Sequence, residues 1–243
     1  MKRPRAGTSF SILNWITEVP MSNIEIKDLF DLSRTIAAPL FEGKRYPWEV
    51  LKEIKGYILE LGATLDPEAF DHPAEDIWIA KDAKVAPTAC LNGPLIVDSG
   101  AELRHCCFVR GSAIVGKGAV VGNSVELKNC VLFDGVQVPH FNYVGDSVLG
   151  YKAHMGAGSV TSNVKSDKQN IVIHDGAGIE TGLRKIGAML GDNVEVGCNS
   201  VLNPGTIVGR NCIVYPTSCV RGVIPENHIY KEATRIDVRR QER

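Results

Sequence analysis

Two histidines, three aromatic residues and two asparagines fall within one short stretch, VPHFNYVGDSVLGYKAHMGAGSVTSN, which begins at Val138. An imidazole can take up a proton near neutral pH, so His140 is a candidate general base. Arg110 and Lys128 lie upstream, and a guanidinium fork beside an ammonium group suits a phosphate. These residue types predict a site that binds a phosphate and accepts a proton, if the fold brings them together.

Six-residue repeats must position these side chains. Aliphatic residues recur six apart over residues 79–127, resume over 132–155 with two five-residue steps, and return over 190–220. A small residue often follows four places later, as at Ala101, and glycine often follows the aliphatic residue, as at Gly116. This spacing is typical of a parallel β-helix, in which three short strands form a triangular coil of about eighteen residues around an aliphatic prism.

The repeat register places particular side chains next to each other. Residues three repeats apart lie on adjacent coils at roughly the 4.8 Å spacing of neighbouring strands. The register predicts three stacked pairs: Lys128 on Arg110, Tyr143 on Glu126, and Ala157 on His140. The prediction is one outer corner with two cations, a carboxylate, a phenol and a histidine.

The rest of the chain divides into a helical segment and two polar ends. Apolar residues at helical spacing predict two helices between Ile24 and Leu65, with Gly62 as a C-cap, which cover an end of the coil. Met21 is an alternative start to Met1, because the polar run that follows it is a natural beginning. The expected organisation is a disordered extension at 1–20, a helical segment at 21–75, a β-helix at 76–228 with an insertion at about 161–188, and a tail at 229–243.

Composition limits the function. The chain has 243 residues, 44% of them hydrophobic, and a formal net charge of -1, which fits one large domain with a small appendage. We therefore expect no nucleic-acid partner, and no apolar run predicts a membrane span. Seven cysteines without C-x-x-C pairs are interpreted as small buried residues in a reducing cytoplasm. A small molecule is the expected partner.

The segment GNSVELKNCVLFDGVQVPHFNYVGDSVLGYKAHMGAGSVTSN resembles the acetyltransferase domain of bifunctional glucosamine-1-phosphate acetyltransferase and N-acetylglucosamine-1-phosphate uridyltransferase. It is also similar to related sugar-nucleotidyltransferase-like proteins. The resemblance covers roughly residues 105–225 and rests on the order VELK, H-x-x-Y-x-G-D, GAG and SN. It implies an all-β, left-handed β-helix of hexapeptide repeats. It also implies a homotrimer with sites between subunits, acetyl-CoA as co-substrate, an amino-sugar 1-phosphate as acceptor, and no metal.

The resemblance also implies roles for particular residues. The expected catalytic residues are His140 as general base, Asn163 and Glu126. The expected substrate-binding residues are Arg110, Lys128, Tyr143 and His154. The Ala157 N–H is expected to stabilise the thioester oxygen. The cations of the insertion are expected to reach a phosphate of CoA or of the sugar: Lys165, Lys168, Arg184 and Lys185.

Two departures from the family pattern leave the acceptor open. His154 replaces an asparagine that contacts the amino sugar, and SNVKSD replaces CNYDG. The glycine-rich nucleotide-binding α/β domain of the bifunctional relatives is not found before Ile79, so nucleotidyltransferase activity is not expected.

Other classes of function stay open. A catalytically weak or inactive trimeric protein could bind a sugar phosphate or sugar nucleotide, and similarity alone could suggest a UDP-N-acetylglucosamine pyrophosphorylase. Transfer of another acyl group, or to another amino sugar, is a third possibility. A zinc site like that of the hexapeptide-repeat carbonic anhydrases is not expected, because the histidines are widely spaced: His105, His140, His154 and His174.

Overall fold

The computed structural model describes residues 23–176 and 178–231. A short helical segment precedes a parallel β-helix of about eight coils, so the predicted all-β coil with a small N-terminal helical segment is confirmed. The predicted extension at 1–20 and most of the predicted tail lie outside the described residues. Strand Ile229–Tyr230 still pairs with the coil, which therefore continues past the predicted boundary at residue 228.

The segment contains two α-helices and three 3-10 helices: α1 (Ile26–Leu29), η1 (Leu32–Arg34), η2 (Ala38–Phe41), η3 (Pro47–Lys52) and α2 (Ile54–Gly62). The strands are β1 (Phe70–Ala74), β2 (Ile77–Ala80), β3 (Lys84–Val85), β4 (Cys90–Leu91), β5 (Leu95–Val97), β6 (Glu102–Leu103), β7 (Phe108–Val109), β8 (Ala113–Val115), β9 (Val120–Asn123), β10 (Glu126–Leu132), β11 (Gln137–His140) and β12 (Tyr143–Leu149). They continue with β13 (His154–Met155), β14 (Val160–Thr161), β15 (Val172–Ile173), β16 (Ile179–Glu180), β17 (Ala188–Leu190), β18 (Glu195–Val196), β19 (Val201–Leu202), β20 (Thr206–Val208), β21 (Ile213–Val214), β22 (Cys219–Val220), β23 (Val223–Ile224) and β24 (Ile229–Tyr230).

Parallel pairing arranges these strands on three faces. The first face is an eight-stranded sheet in the order β24-β21-β18-β13-β11-β9-β6-β3. The second joins β2, β5, β8, the end of β10, the end of β12, β17, β20 and β23. The third joins β4, β7, the start of β10, the start of β12, β14, β19 and β22. β10 and β12 run through a corner, and therefore hold the second and third faces together.

The repeated aliphatic residues fill the prism, as the sequence predicts. Val109, Leu127, Val144 and Leu202 are fully buried, and Ala101 is fully buried at a small-residue position. Burial of each aliphatic side chain contributes about 1.5–3 kcal/mol, so the coil is stabilised by the sum of many similar layers.

The N-terminal segment covers a flank of the coil, so the expectation that it covers an end is wrong. Helix α2 packs against β5, β8 and β10, and η3 packs against β12. Side chains alternate along a strand, and the outward residues of the second face are apolar and fully buried: Ile96, Ile114, Val131, Val148, Met189 and Ile207. This outer apolar stripe needs a cover, which the segment supplies.

Hydrogen bonds fix the segment along this flank. The buried Asp192 carboxylate accepts the backbone N–H groups of Asp31 and Tyr151, each at 2.8 Å. Asn129 donates its side-chain amide to the Leu51 carbonyl at 3.1 Å. Burial raises the pKa of Asp192.

The two predicted helices are shorter than expected. The first ends after four residues at Leu29, and the second is divided at Glu53 into η3 and α2. Gly62 is the last helical residue and Ala63 is the C-cap, so the predicted capping role is wrong. A Cβ atom at Gly62 would lie 2.5 Å from the Trp78 ring, and this close approach explains the glycine.

The insertion is an antiparallel hairpin that leaves the coil after β14 and returns at β17. Strands β15 and β16 pair Val172 with Glu180 and Ile173 with Ile179. The coil then resumes with Met189 beside Val148, without a change of register.

All seven cysteines are free thiols, but only three are buried, so the prediction of seven buried cysteines is wrong. Burial raises the pKa of Cys107 and Cys212 to about 11 and that of Cys130 to about 12. The thiolate is the reactive form, so native protein is expected to react quickly with a thiol reagent only at the exposed cysteines: Cys90, Cys106, Cys198 and Cys219. Mass spectrometry after timed alkylation checks this. Rapid native modification of Cys130 would contradict it, and alkylation in denaturant gives the reference for full reaction.

Candidate active site

The strand register confirms the predicted stacking at the corner between the third and second faces. Leu127 pairs with Val109 and the Arg110 N–H donates to the Leu127 carbonyl at 2.9 Å, which sets Lys128 beside Arg110. Glu126 pairs with Tyr143.

Each of the two stacked cations is paired with a carboxylate. Arg110 Nη1 lies 2.8 Å from Glu126 Oε1, and Lys128 Nζ lies 2.8 and 2.9 Å from the two Asp146 oxygens. The hydrogen bond to Glu126 raises the pKa of Arg110. The four side chains together carry no net formal charge, so the corner is less cationic than the sequence alone suggests.

Asp146 organises the site, a role that was not predicted although this residue lies in the H-x-x-Y-x-G-D motif. Its side chain is 5% exposed, and its backbone has a positive φ of 48°. Besides Lys128, it accepts the side-chain amides of Asn129 at 2.9 Å and Asn163 at 2.5 Å. A buried carboxylate that accepts several N–H groups locks the rotamers of all its donors. We use the term Asp146 network for Asp146 together with Lys128, Asn129, Asn163 and Tyr143.

Asn163 joins Tyr143 to this network. Its Nδ2 atom also donates to the Tyr143 hydroxyl at 3.1 Å, and its backbone carbonyl accepts the Ile186 N–H at 3.2 Å. A Cβ atom on Gly145 would clash with the Tyr143 hydroxyl oxygen, so a glycine is required beneath the phenol. The phenol is therefore held in one orientation, half-buried at the corner.

The pH dependence of stability follows from this burial. Burial and the nearby Asp146 charge raise the pKa of Tyr143 above its ordinary value of 10.0. The folded state thus holds this proton where the unfolded state has lost it, so stability falls as pH rises from the unfolded pKa through the folded one. The free energy of unfolding of wild type and Tyr143→Phe is measured from about pH 9 to about 11.5, a range that includes the ordinary tyrosine pKa. Its decline with pH is expected to be shallower for the variant. Parallel declines would contradict the assignment.

His140 lies at the end of β11 with an exposed side chain, where the chain passes from the first face to the third. Arg110 and Lys128 lie between the third and second faces, so the prediction that one corner holds the histidine with both cations is wrong. Its backbone N–H donates to Asn142 Oδ1 at 3.1 Å, and its carbonyl accepts the Gly158 N–H at 3.0 Å, which confirms that Ala157 stacks on it. Asn142, in the turn between β11 and β12, is 3% exposed. It donates its side-chain amide to the Gly156 carbonyl at 2.8 Å. Within residues 23–176 and 178–231, no side-chain hydrogen bond or ion pair of His140 is found.

His154 lies on the first face, away from the Asp146 network. Its Nδ1 atom is 2.8 Å from Glu195 Oε2, in a depression of about 330 Å³ that Cys198 and Tyr215 also line. His154 pairs with Gln137, three residues before His140. One chain therefore does not bring His154 to Tyr143.

The four cations of the insertion do not converge on a single site. Arg184 and Lys185 line a cleft of about 460 Å³ that reaches Asp146. Lys165 lines another cavity of about 230 Å³ with His174 and Arg221. Lys168 lines neither of these cavities.

In the part of the chain that the structure describes, no group of three or more His, Cys, Asp or Glu side chains is placed to hold a metal ion. A search of the same residues finds no helix with the length and apolar character needed to cross a bilayer.

Two family models match parts of this chain. Residues 187–222 match the bacterial transferase hexapeptide (six repeats), and residues 91–181 match the GMPPB C-terminal domain. The coil and these two partial matches agree on a hexapeptide-repeat architecture.

Two curated proteins are similar to this chain over most of its length. The chain is 30% identical over 232 residues to the bifunctional sugar-1-phosphate nucleotidylyltransferase/acetyltransferase of Sulfurisphaera tokodaii, covering 87% of this chain and 57% of that protein. It is 26% identical over 200 residues to the bifunctional protein GlmU of Methanococcus maripaludis, covering 74% and 49%. The chain thus spans about half the length of the curated relatives it matches. The resemblance predicted from the sequence is confirmed.

Solved structures give weaker likenesses. A variant of the GDP-perosamine N-acetyl transferase from Caulobacter crescentus, in complex with CoA and GDP-perosamine, is 16% identical with a TM-score of 0.29, covering 67% of this chain and 56% of that chain. A variant of AntD, an N-acyltransferase from Bacillus cereus, in complex with dTDP and coenzyme A, is 16% identical with a TM-score of 0.32, covering 72% and 90%.

Proposed function

We propose that this protein is an acetyl-CoA-dependent N-acetyltransferase that acts on an amino-sugar 1-phosphate. The observation that carries the proposal is the Asp146 network, which fixes a phenol, an amide and an ammonium group at one corner of the coil. The relationship to a nucleotidylyltransferase/acetyltransferase and to GlmU supports the acyltransferase class.

In the proposed reaction, the amine of the acceptor attacks the thioester carbonyl, a C–N bond forms, and the C–S bond breaks. His140 accepts a proton from the amine and returns it to the sulfur, so CoA leaves as the free thiol. No covalent enzyme intermediate is needed, and positioning of both substrates supplies much of the acceleration.

The backbone at Ala157 fits a thioester oxygen. The Ala157 carbonyl accepts the Asn199 N–H at 2.9 Å, whereas no acceptor for the Ala157 N–H is found among residues 23–176 and 178–231. An N–H group with no protein acceptor beside the candidate base can donate to negative charge that develops on the thioester oxygen.

Side chains at the corner fit the phosphate of the acceptor. Arg110 uses only Nη1 for Glu126, and its side chain is 48% exposed, so the other guanidinium N–H groups are open to a phosphate. Glu126 is proposed to face the amino group. Lys128 and Tyr143, held by Asp146 and Asn163, would complete the pocket.

We further propose a homotrimer with sites between subunits. The separation of His154 from Tyr143 in one chain supports this arrangement, because a second chain could supply the missing side chain. Phe108 on the third face and Phe141 between the first and third faces are 37% and 59% exposed, which also supports a contact on this side of the coil. Measurement of the molecular mass in solution tests the homotrimer.

The seven free thiols support a reducing, cytoplasmic location.

A thiol-release assay tests the proposed activity. Purified protein with acetyl-CoA is expected to release thiol with glucosamine 1-phosphate or a related amino-sugar phosphate. Matched acceptors without a free amine, such as glucose 1-phosphate and N-acetylglucosamine 1-phosphate, are the controls. Equal release with and without the amine would contradict amide formation.

A sugar-phosphate or sugar-nucleotide binding protein without turnover is the second candidate. The pairing of both stacked cations with carboxylates and the His154–Glu195 contact favour it, as does the match to the GMPPB C-terminal domain. Binding of sugar phosphate without thiol release from any acceptor would select this function.

A further inference from the structure

A second cationic surface adjoins the Asp146 network. The cleft of about 460 Å³ is lined by Leu51, Lys52, Asn129, Asp146, Leu183, Arg184 and Lys185. Its volume lies within the range of roughly 300–1,000 Å³ that small-molecule sites occupy. Three structural units meet here, because the residues come from the N-terminal segment, the coil and the insertion.

The charges in this cleft differ from those at the Arg110 corner. Lys52, Arg184 and Lys185 are exposed, and none of them forms an ion pair within residues 23–176 and 178–231. The single carboxylate in the lining, that of Asp146, already accepts Lys128, Asn129 and Asn163. The cleft thus holds three uncompensated cations around a carboxylate whose charge is already compensated by Lys128.

Hydrogen bonds fix the backbone on both sides of the cleft. Leu51, next to Lys52, accepts the Asn129 side-chain amide. On the other side, Ile186 donates to Asn163 and Gly187 donates to the Asp146 carbonyl at 2.8 Å. A Cβ atom on Gly187 would clash with the Gly145 carbonyl oxygen, so the insertion returns to the coil in close contact. The cations are therefore presented from two anchored segments, the N-terminal segment and the end of the insertion.

We infer that this cleft is a binding site for a phosphate or diphosphate group. An arginine fork and two lysines that line one cleft suit phosphate oxygens, and the apolar side chains of Leu51 and Leu183 can contact the remainder of the ligand. The site requires Lys52, which no sequence motif indicated, and excludes Lys165 and Lys168. It does not depend on turnover. A phosphorylated acceptor and the phosphates of CoA share this chemistry.

Calorimetry with inorganic pyrophosphate tests the site with matched variants. Lys52→Ala, Arg184→Ala and Lys185→Ala are each expected to weaken binding on the order of tenfold, the value of one charge-assisted hydrogen bond. Lys55→Ala, from the same N-terminal segment, and Lys117→Ala, from the coil, remove the same charge outside the cleft and should bind as wild type does. Equal weakening in the control variants, or no binding by wild type, would overturn the inference.

Two further titrations identify the source of the phosphate. Cleft variants that lose affinity for CoA assign the site to the co-substrate, and variants that lose affinity for glucosamine 1-phosphate assign it to the acceptor. The proposed activity fails separately: if wild type releases no thiol but the cleft variants still lose pyrophosphate binding, the cleft stands without the enzyme. If thiol is released and the cleft variants bind pyrophosphate as wild type does, the proposed activity is supported and the inference about the cleft is overturned.

Discussion

Replacement of Asp146 with alanine is expected to lower the free energy of unfolding by about 3 kcal/mol, because removal of one partner leaves buried polar groups unpaired. Lys128, whose side chain is 26% exposed, loses its counter-ion, and Asn129 and Asn163 lose their acceptor. Tyr143 then loses its fixed orientation. In the proposed enzyme, activity is expected to fall about 10²-fold, the effect of a displacement of roughly 1 Å in a reacting group.

Denaturant unfolding and thiol-release kinetics measure the two effects of this change. Asp167→Ala is the matched control, because it also removes an aspartate paired with a lysine, but on the surface of the insertion. That control is expected to change neither quantity appreciably. Asp146→Asn keeps the size of the side chain but removes the charge, and should lie between the alanine variant and wild type. An Asp146→Ala protein with wild-type stability would show that the network is not structural.

Replacement of His140 with alanine is expected to reduce kcat by about 10²–10⁴-fold, the usual contribution of a positioned general base. The fold should be unaffected, because the side chain is exposed and only the backbone of His140 bonds to Asn142 and Gly158. The KM for acetyl-CoA should change little, because the base contributes to the transition state more than to binding.

His105→Ala is the matched control for this variant, because it removes an exposed histidine from a different part of the coil. Its kcat is expected to match that of wild type. A His140→Ala protein that is folded and has full kcat would remove His140 from the role of base, and an unfolded variant would contradict the expectation that the fold is unaffected. Steady-state kinetics and circular dichroism of both variants make the comparison.

The repeat alone was sufficient to predict the coil and part of the site. The six-residue period, with its two five-residue steps, fixes which residues become neighbours, so the stacking of Lys128 on Arg110 and of Tyr143 on Glu126 could be deduced by counting.

The partners of these side chains could not be predicted in the same way. Asp146 has a left-handed backbone at a corner, and this conformation turns its carboxylate toward Lys128 and Asn163. A short motif such as VGDS is equally typical of a surface turn. The pairing of Arg110 with Glu126 likewise depends on the directions of long side chains, which register does not specify.

The predicted position of the N-terminal segment was wrong for a related reason. This segment covers the outer apolar stripe, whose members are the central residues of three-residue runs such as LIV at 95–97 and AIV at 113–115. Such runs indicate a strand buried on both sides, and this signal was present in the sequence. The approach of Lys52 to Arg184 and Lys185 depends on that placement, and therefore required the structure.

Acetyl transfer to the amine tests the central claim most directly. Purified protein is incubated with glucosamine 1-phosphate and acetyl-CoA labelled with carbon-13 at the carbonyl, and the product is followed by nuclear magnetic resonance and mass spectrometry. The proposed function predicts that the label moves from a thioester to an amide on the sugar, and that His140→Ala slows this step. A label that stays on CoA, with every amino-sugar phosphate tried and with sugar phosphate bound, would contradict it.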